Sequence, residues 1–222
     1  MIIVLGSRFD PAARQMLDQI PGSSLCSAED LTRPGWSWRF GGEHPGTWVV
    51  DGAVVDDEAV TGVLVRRSGI FAEELSGTHP DDRDYLAAEA SAFLAFVLAR
   101  THAVVVNPVR EGAMGEEAIR LEHWLPIAMD VGLLPAPLEL SSASGRVSTA
   151  SDQVVEVVGE ELFGDVTPAV KPFLVALAAR LGLQFATFVL DPEDRVRTLS
   201  SMSVPGPAAL PAVIELLAEG RQ

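Results

Sequence analysis

Gly62-Val63-Leu64-Val65-Arg66-Arg67 is the stretch on which the fold turns. Four residues without a polar side chain end on two adjacent arginines. A short apolar run closed by charge fits a strand buried on both faces, with a polar tip. Similar runs recur outward from it. Ile2 to Gly6 reads as a first strand and Ser24 to Cys26 as a second. Ala103 to Val106 reads as another, ended by Asn107-Pro108. Helices lie between them. Asp10 is placed to cap a helix with Pro11 at its first position, and Ala12 to Ile20 continues it. Asp81 or Asp82 opens a long helix from Tyr85 to Arg100, with Leu86, Phe93, Val97 and Leu98 at helical spacing. This alternation predicts an open α/β sheet with parallel pairs over residues 1–110.

The rest is α+β. Glu116 to Val131 reads as a helix closed by Gly132, leading to Pro135 and Pro137. Ser141-Ser142-Ala143-Ser144-Gly145 is the clearest break in the chain. Beyond it come strands at Val154 to Val158 and Glu161 to Phe163, then a helix from Pro168 to Leu181. Phe185 to Leu190 pairs with Arg195 to Leu199 across the turn Asp191-Pro192-Glu193-Asp194. Pro207 to Ala218 is a closing helix. Residues 36–50, with Trp36, Trp38, Phe40 and Trp48, suit a hairpin or edge ribbon. Two domains follow from this pass, 1–110 and 111–222.

Composition narrows the function. The chain has 222 residues, of which 48% are hydrophobic, enough for a core rather than disorder. The longest apolar candidate, Ala87 to Val106, is broken by Glu89, Arg100 and His102, so no membrane span is expected. The first strand has no basic region before it, unlike a signal peptide, and a cytoplasmic location is expected. Cys26 is the one cysteine, which excludes an internal disulfide and a Cys-rich metal site. A net charge of −15 repels phosphate backbones, so nucleic acid is not an expected partner. Lys171 is the one lysine among 16 basic residues. His79, His102 and His123 share no zinc-like spacing.

The order of the segments carries a resemblance. Gly62 to Arg67 comes first, then Asp84-Tyr85-Leu86-Ala87-Ala88-Glu89 opening a helix. Val104-Val105-Val106-Asn107-Pro108 and Gly132-Leu133-Leu134-Pro135 follow. This series resembles the pre-ATP-grasp domain of ATP-grasp ligases that modify ribosomal peptides, such as the microviridin ligases. Asp152 to Phe163 is similar to the family's central strand pair, written D-x-R-x-x-V-V-G-x-x-x-F. Leu177 to Ala186 is similar to the helix and strand that follow. Asp191 falls where the family has an aspartate, and Val204-Pro205-Gly206 falls after its Glu-x-Asn motif. The resemblance implies a pre-ATP-grasp-like open sheet with flanking helices, followed by a reduced ATP-grasp remnant.

The departures set the functional expectation. The family's small nucleotide-gripping subdomain, with its lysines, shrinks here to Ser141 through Ser151, which holds no lysine. Val154 replaces the D-x-R arginine. Ser200-Ser201-Met202-Ser203 replaces Glu-x-Asn. Phosphoryl transfer depends on cations that neutralise developing charge, and Mg²⁺ needs an oxygen cage. Neither ATP nor Mg²⁺ is therefore expected as a cofactor. The resulting expectation is a catalytically inactive ATP-grasp-like protein that binds a peptide or protein partner in a bacterial biosynthetic pathway.

Two alternatives stay open: an enzyme with altered chemistry in the old acceptor pocket, and a carboxylate–amine ligase completed by a second subunit. A homodimer could hide a sheet face left uncovered by the truncation. The candidate ligand residues are Arg66, Arg67, Tyr85, Glu89 and Asn107. Arg66-Arg67 lies at a strand's C-terminal end, where open α/β sheets place ligands. The plainer reading is an ion pair with Glu89 or an acidic loop. Tyr85 and Glu89 are four apart on one helix face and could frame a pocket with Arg66. Asp191 reads as a vestige of a metal site or as the cap of its own turn.

Overall fold

The computed structural model describes residues 1–39, 46–107, 120–137 and 152–219. The expected start of the helix at Glu116, the Ser141–Ser151 segment and Phe40 lie outside these residues. The chain divides into two compact units, Met1–Ala118 with Ile214–Gln222, and Ile119–Val213.

The first unit is built on a parallel sheet in the order β2-β1-β5-β6, with β1 (Ile2–Leu5), β2 (Ser23–Cys26), β5 (Gly62–Val65) and β6 (Val104–Val106). Every residue of β1, β5 and β6 is buried, as the unbroken apolar runs require. Alternation sends Ile3, Leu5, Val63, Val65 and Val105 to one core, shared with Leu94, Val97 and Leu98 of α3 (Arg83–Arg100). Helix α1 (Pro11–Gln19) packs on β1 and β2. Asp10 caps it, accepting from the Ala12 N–H at 2.9 Å. The short helix α2 (Ala28–Leu31) follows β2.

A hairpin of β3 (Thr47–Val50) and β4 (Ala53–Asp56) closes this core. Its two-residue turn has positive φ at both Asp51 and Gly52, the form that matches strand twist. Trp48 of β3 is fully buried, with Trp36 and Trp38 rings 5.6 and 5.8 Å away. Asp57, just beyond β4, is fully buried too. Its Oδ1 accepts from Trp48 Nε1 at 2.7 Å and Thr101 Oγ1 at 2.5 Å. Its Oδ2 accepts from the His102 N–H at 3.1 Å and lies 3.0 Å from His102 Nδ1.

The second unit holds an antiparallel sheet in the order β10-β9-β7-β8, with β7 (Gln153–Val158), β8 (Glu161–Phe163), β9 (Phe185–Leu190) and β10 (Val196–Ser200). Helices α4 (Leu121–Asp130) and α5 (Lys171–Arg180) cover one face. Val155, Val157, Phe188 and Leu190 meet Trp124, Leu174 and Leu177 there. A further extended segment joins this sheet through an isolated parallel bridge between Pro135 and Val196. Helix α6 (Leu210–Ala218) closes the described chain.

Gly62 shows how tightly the first unit is packed. A Cβ there would lie 2.4 Å from the Leu217 carbonyl oxygen and 2.8 Å from its Cα. Both are backbone atoms, which cannot rotate away. Gly62→Ala should therefore destabilise the protein by about 1–3 kcal/mol in urea unfolding. Gly77→Ala, where a Cβ would meet nothing within 4 Å, should stay within about 0.5 kcal/mol of the parent.

Candidate functional site

In the first unit the chain leaves β1 for β2 on one side and β5 for β6 on the other. The order therefore reverses between β1 and β5, and Arg66 stands at that point. Its backbone N–H still donates to the Leu5 carbonyl at 2.8 Å. Its side chain is only 9% exposed and pairs through Nη2 with Asp10 Oδ2 at 3.1 Å. The carboxylate partner of Arg66 is thus Asp10 of the α1 cap, not Glu89. Nε and Nη1 of Arg66 are buried without a hydrogen-bond partner among the described residues.

Arg67 is fully used. Nε donates to the Gly69 carbonyl at 2.8 Å, Nη1 to the Gly6 carbonyl at 3.2 Å, and Nη2 pairs with Glu74. Burial lowers the Arg67 pKa, and the Glu74 carboxylate offsets part of that effect. Asn107 is buried at the end of β6. Tyr85, 70% exposed, and Glu89, also exposed, lie on α3. The structure gathers Arg66, Arg67 and Asn107 at the C-terminal ends of β5 and β6, and leaves Tyr85 and Glu89 on the helix surface.

Asp191 is fully buried at the turn between β9 and β10. Oδ1 accepts from the Glu193 N–H at 3.0 Å and the Arg195 N–H at 2.9 Å. Oδ2 accepts from Arg195 Nε at 2.7 Å. Burial alone would raise its pKa. The N–H groups of Arg195 and Glu193, with the guanidinium, more than offset this and hold it below the ordinary carboxylate value. Arg195 also pairs with Glu193, and Arg197 Nε pairs with Asp152 at 3.0 Å.

These two arginines border a cavity of about 300 Å³, a site that sequence reasoning missed. Leu121, Trp124 and Leu125 of α4 form one wall, Pro135, Ala136 and Pro137 a second, and Val196 of β10 a third. The second wall is held in place by Ala136 N–H to Val196 carbonyl (2.9 Å) and Val196 N–H to Leu134 carbonyl (3.1 Å). Its size lies at the lower end of small-ligand pockets, and its lining is apolar apart from the two arginines. The face of the second sheet away from its core carries Val154, Glu156, Thr187 and Val189 in cross-strand register. Glu156 is buried, and both its oxygens accept the Gly206 N–H, at 2.9 and 3.0 Å.

No family model matches the chain, and no curated protein sequence matches it. Solved structures do. The macrocyclase MdnC from Microcystis aeruginosa MRC, bound with its precursor peptide MdnA, aligns over 99% of this chain and 100% of that one. The TM-score is 0.71 at 13% identity. The ATP-grasp ligase PsnB, complexed with minimal precursor, Mg and ADP, aligns over 98% and 97%, with TM-score 0.68 at 15% identity. A Chryseobacterium gregarium RiPP-associated ATP-grasp ligase, in complex with ADP and a leader and core peptide, aligns over 98% and 96%. Its TM-score is 0.68 at 10% identity. The chain therefore has the fold of the ATP-grasp ligases that modify ribosomal peptides, as the segment order implied.

PsnB is complexed with Mg and ADP, and the described residues of this chain do not fit such a complex. Asp191 engages both oxygens on its own turn and Arg195, and the two oxygens of Glu156 share the one Gly206 N–H. Val154, 59% exposed, puts a methyl-bearing side chain on the open sheet face, and Lys171 begins α5. Among the described residues no three His, Cys, Asp or Glu side chains group to hold a metal ion.

The Asp191 clamp has a measurable signature. Its depressed pKa stabilises the fold fully above the unfolded value of about 3.9, and that stability is lost as pH falls through the lower folded value. Asp191→Asn should be less stable than the parent at neutral pH in urea unfolding. The gap should close as the pH is taken below about 4.

Proposed function

We propose that this chain is a peptide-binding component of a biosynthetic system that uses the ATP-grasp fold without ligase chemistry. The observation that carries the reading is the apolar cavity between α4, residues 135–137 and β10, with Arg195 and Arg197 in its lining. A cavity of about 300 Å³ lined by leucine, tryptophan and proline suits one or two large apolar side chains of a peptide. Its arginines are held by buried acids, so they present fixed N–H groups rather than mobile charges. The solved structures with this fold include complexes with precursor peptides, which favours a peptide over another small ligand. The internal commitment of Asp191 supports the absence of nucleotide chemistry.

The test has two parts. Calorimetry with millimolar ATP and MgCl₂ should give no binding heat, and Mg²⁺-dependent binding would overturn the non-ligase part of the reading. A random peptide pool selected on the purified protein should yield binders whose affinity is measured by calorimetry. Ala136→Phe fills the cavity and should weaken them at least about tenfold, the equivalent of about 1.4 kcal/mol. Binders indifferent to Ala136→Phe would remove the cavity as the peptide site.

A further inference from the structure

Two arginines line the apolar cavity of the second unit, and the fold treats them differently. Arg195 is committed to its own turn, with Nε on Asp191 at 2.7 Å and Nη2 on Glu193. Arg197 has one ion pair among the described residues, from Nε to Asp152 Oδ1 at 3.0 Å. The Asp152 side chain is buried, while that of Arg197 keeps 36% of its surface open. Asp152 therefore anchors the guanidinium from inside the protein. Nη1 and Nη2 lie beyond that anchor, at the end of the side chain. They share one edge of the planar group, so the two oxygens of a single carboxylate can lie against them side by side.

Arg197 reaches the cavity through a break in the strand. On a regular strand the neighbours Val196 and Arg197 would face opposite ways. The register shifts there: Val196 pairs with Leu190 and Thr198 with Val189, which leaves Arg197 as the extra residue. Val196 and Leu199 both face the core although they are three apart, as an inserted residue requires. A bulge re-aims a side chain, and this one brings Val196 and Arg197 to the same cavity. The described lining holds two guanidinium groups and no carboxylate, in a chain with 31 acidic and 16 basic residues. We propose that Arg197 sets the specificity of the cavity, selecting peptides that place one carboxylate beside the large apolar side chain that fills it. This inference rests on the peptide reading above. The carboxylate belongs to an Asp or Glu side chain or to a free C-terminus. A net charge of −15 repels a run of acidic residues, so a single one is favoured.

The test uses the full-length protein and those peptides from the random pool whose binding Ala136→Phe weakens. Each is resynthesised with its acidic residue changed to the amide, and separately with its C-terminus amidated. One of the two changes should weaken binding about fivefold in calorimetry, and which one identifies the source of the carboxylate. With Arg197→Gln the charged and neutral peptides should bind alike. Arg197→Lys, which keeps the charge and loses the fork, should retain part of the preference. The charged and neutral peptides compared on the parent protein decide the matter even where Arg197→Gln does not fold. Cavity-dependent binders that tolerate both changes overturn this proposal and leave the peptide reading standing. So does a preference for the carboxylate that Arg197→Gln leaves intact. A pool that yields no binder sensitive to Ala136→Phe overturns both.

Discussion

A carboxylate taken out of water has to find its donors inside the protein, and each unit of this chain is organised around one that does. Asp57 ties Trp48 of β3 to Thr101 and His102 at the entry to β6. It thereby fixes where the hairpin ends and where the last parallel strand begins. Asp191 ties the β9–β10 turn to Arg195. That bond sets the angle at which β10 leaves the turn, and so where Val196 meets residues 134–136. The apolar cavity is a consequence of that placement, because its third wall is Val196 itself.

Charge is rationed by the same logic. The chain carries 31 acidic and 16 basic residues, so each cation is a scarce partner. Arg8 pairs with Glu29, Arg67 with Glu74, Arg180 with Asp130, Arg195 with Asp191 and Arg197 with Asp152. The exposed pairs, Arg8 with Glu29 and Arg180 with Asp130, add little stability. Arg66 stands out against this background because it is buried and only partly matched.

The elements were legible in the sequence because they rest on local signals. Unbroken apolar runs gave β1, β5 and β6, and the Asp10-Pro11 cap gave α1. The site was only partly legible, because it rests on pairings between distant residues. Arg66 and Arg67 have the same chemistry in sequence, and only the approach of Gly6, Gly69 and Glu74 to one of them tells them apart. Asp10 was readable as a cap, but its second oxygen is set by the β1–β5 register, 56 residues away. The cavity draws on three segments joined by one bridge at Pro135, and prolines argue against a strand when read locally.

The second sheet separates the side chains that hold the fold from those that do not. Side chains on a strand alternate between faces, so the residues that hold the sheet and those that meet a ligand are different sets. Val155, Phe188 and Leu199 face the core with α4 and α5. Val154, Val189 and Thr198 form the neighbouring row on the other face. Val154 on that face leaves the buried row intact, and a β-branched residue suits a strand better than most. Backbone pairing and one apolar face are enough to specify the architecture. Whether the opposite face binds a nucleotide is decided by side chains that the fold does not depend on.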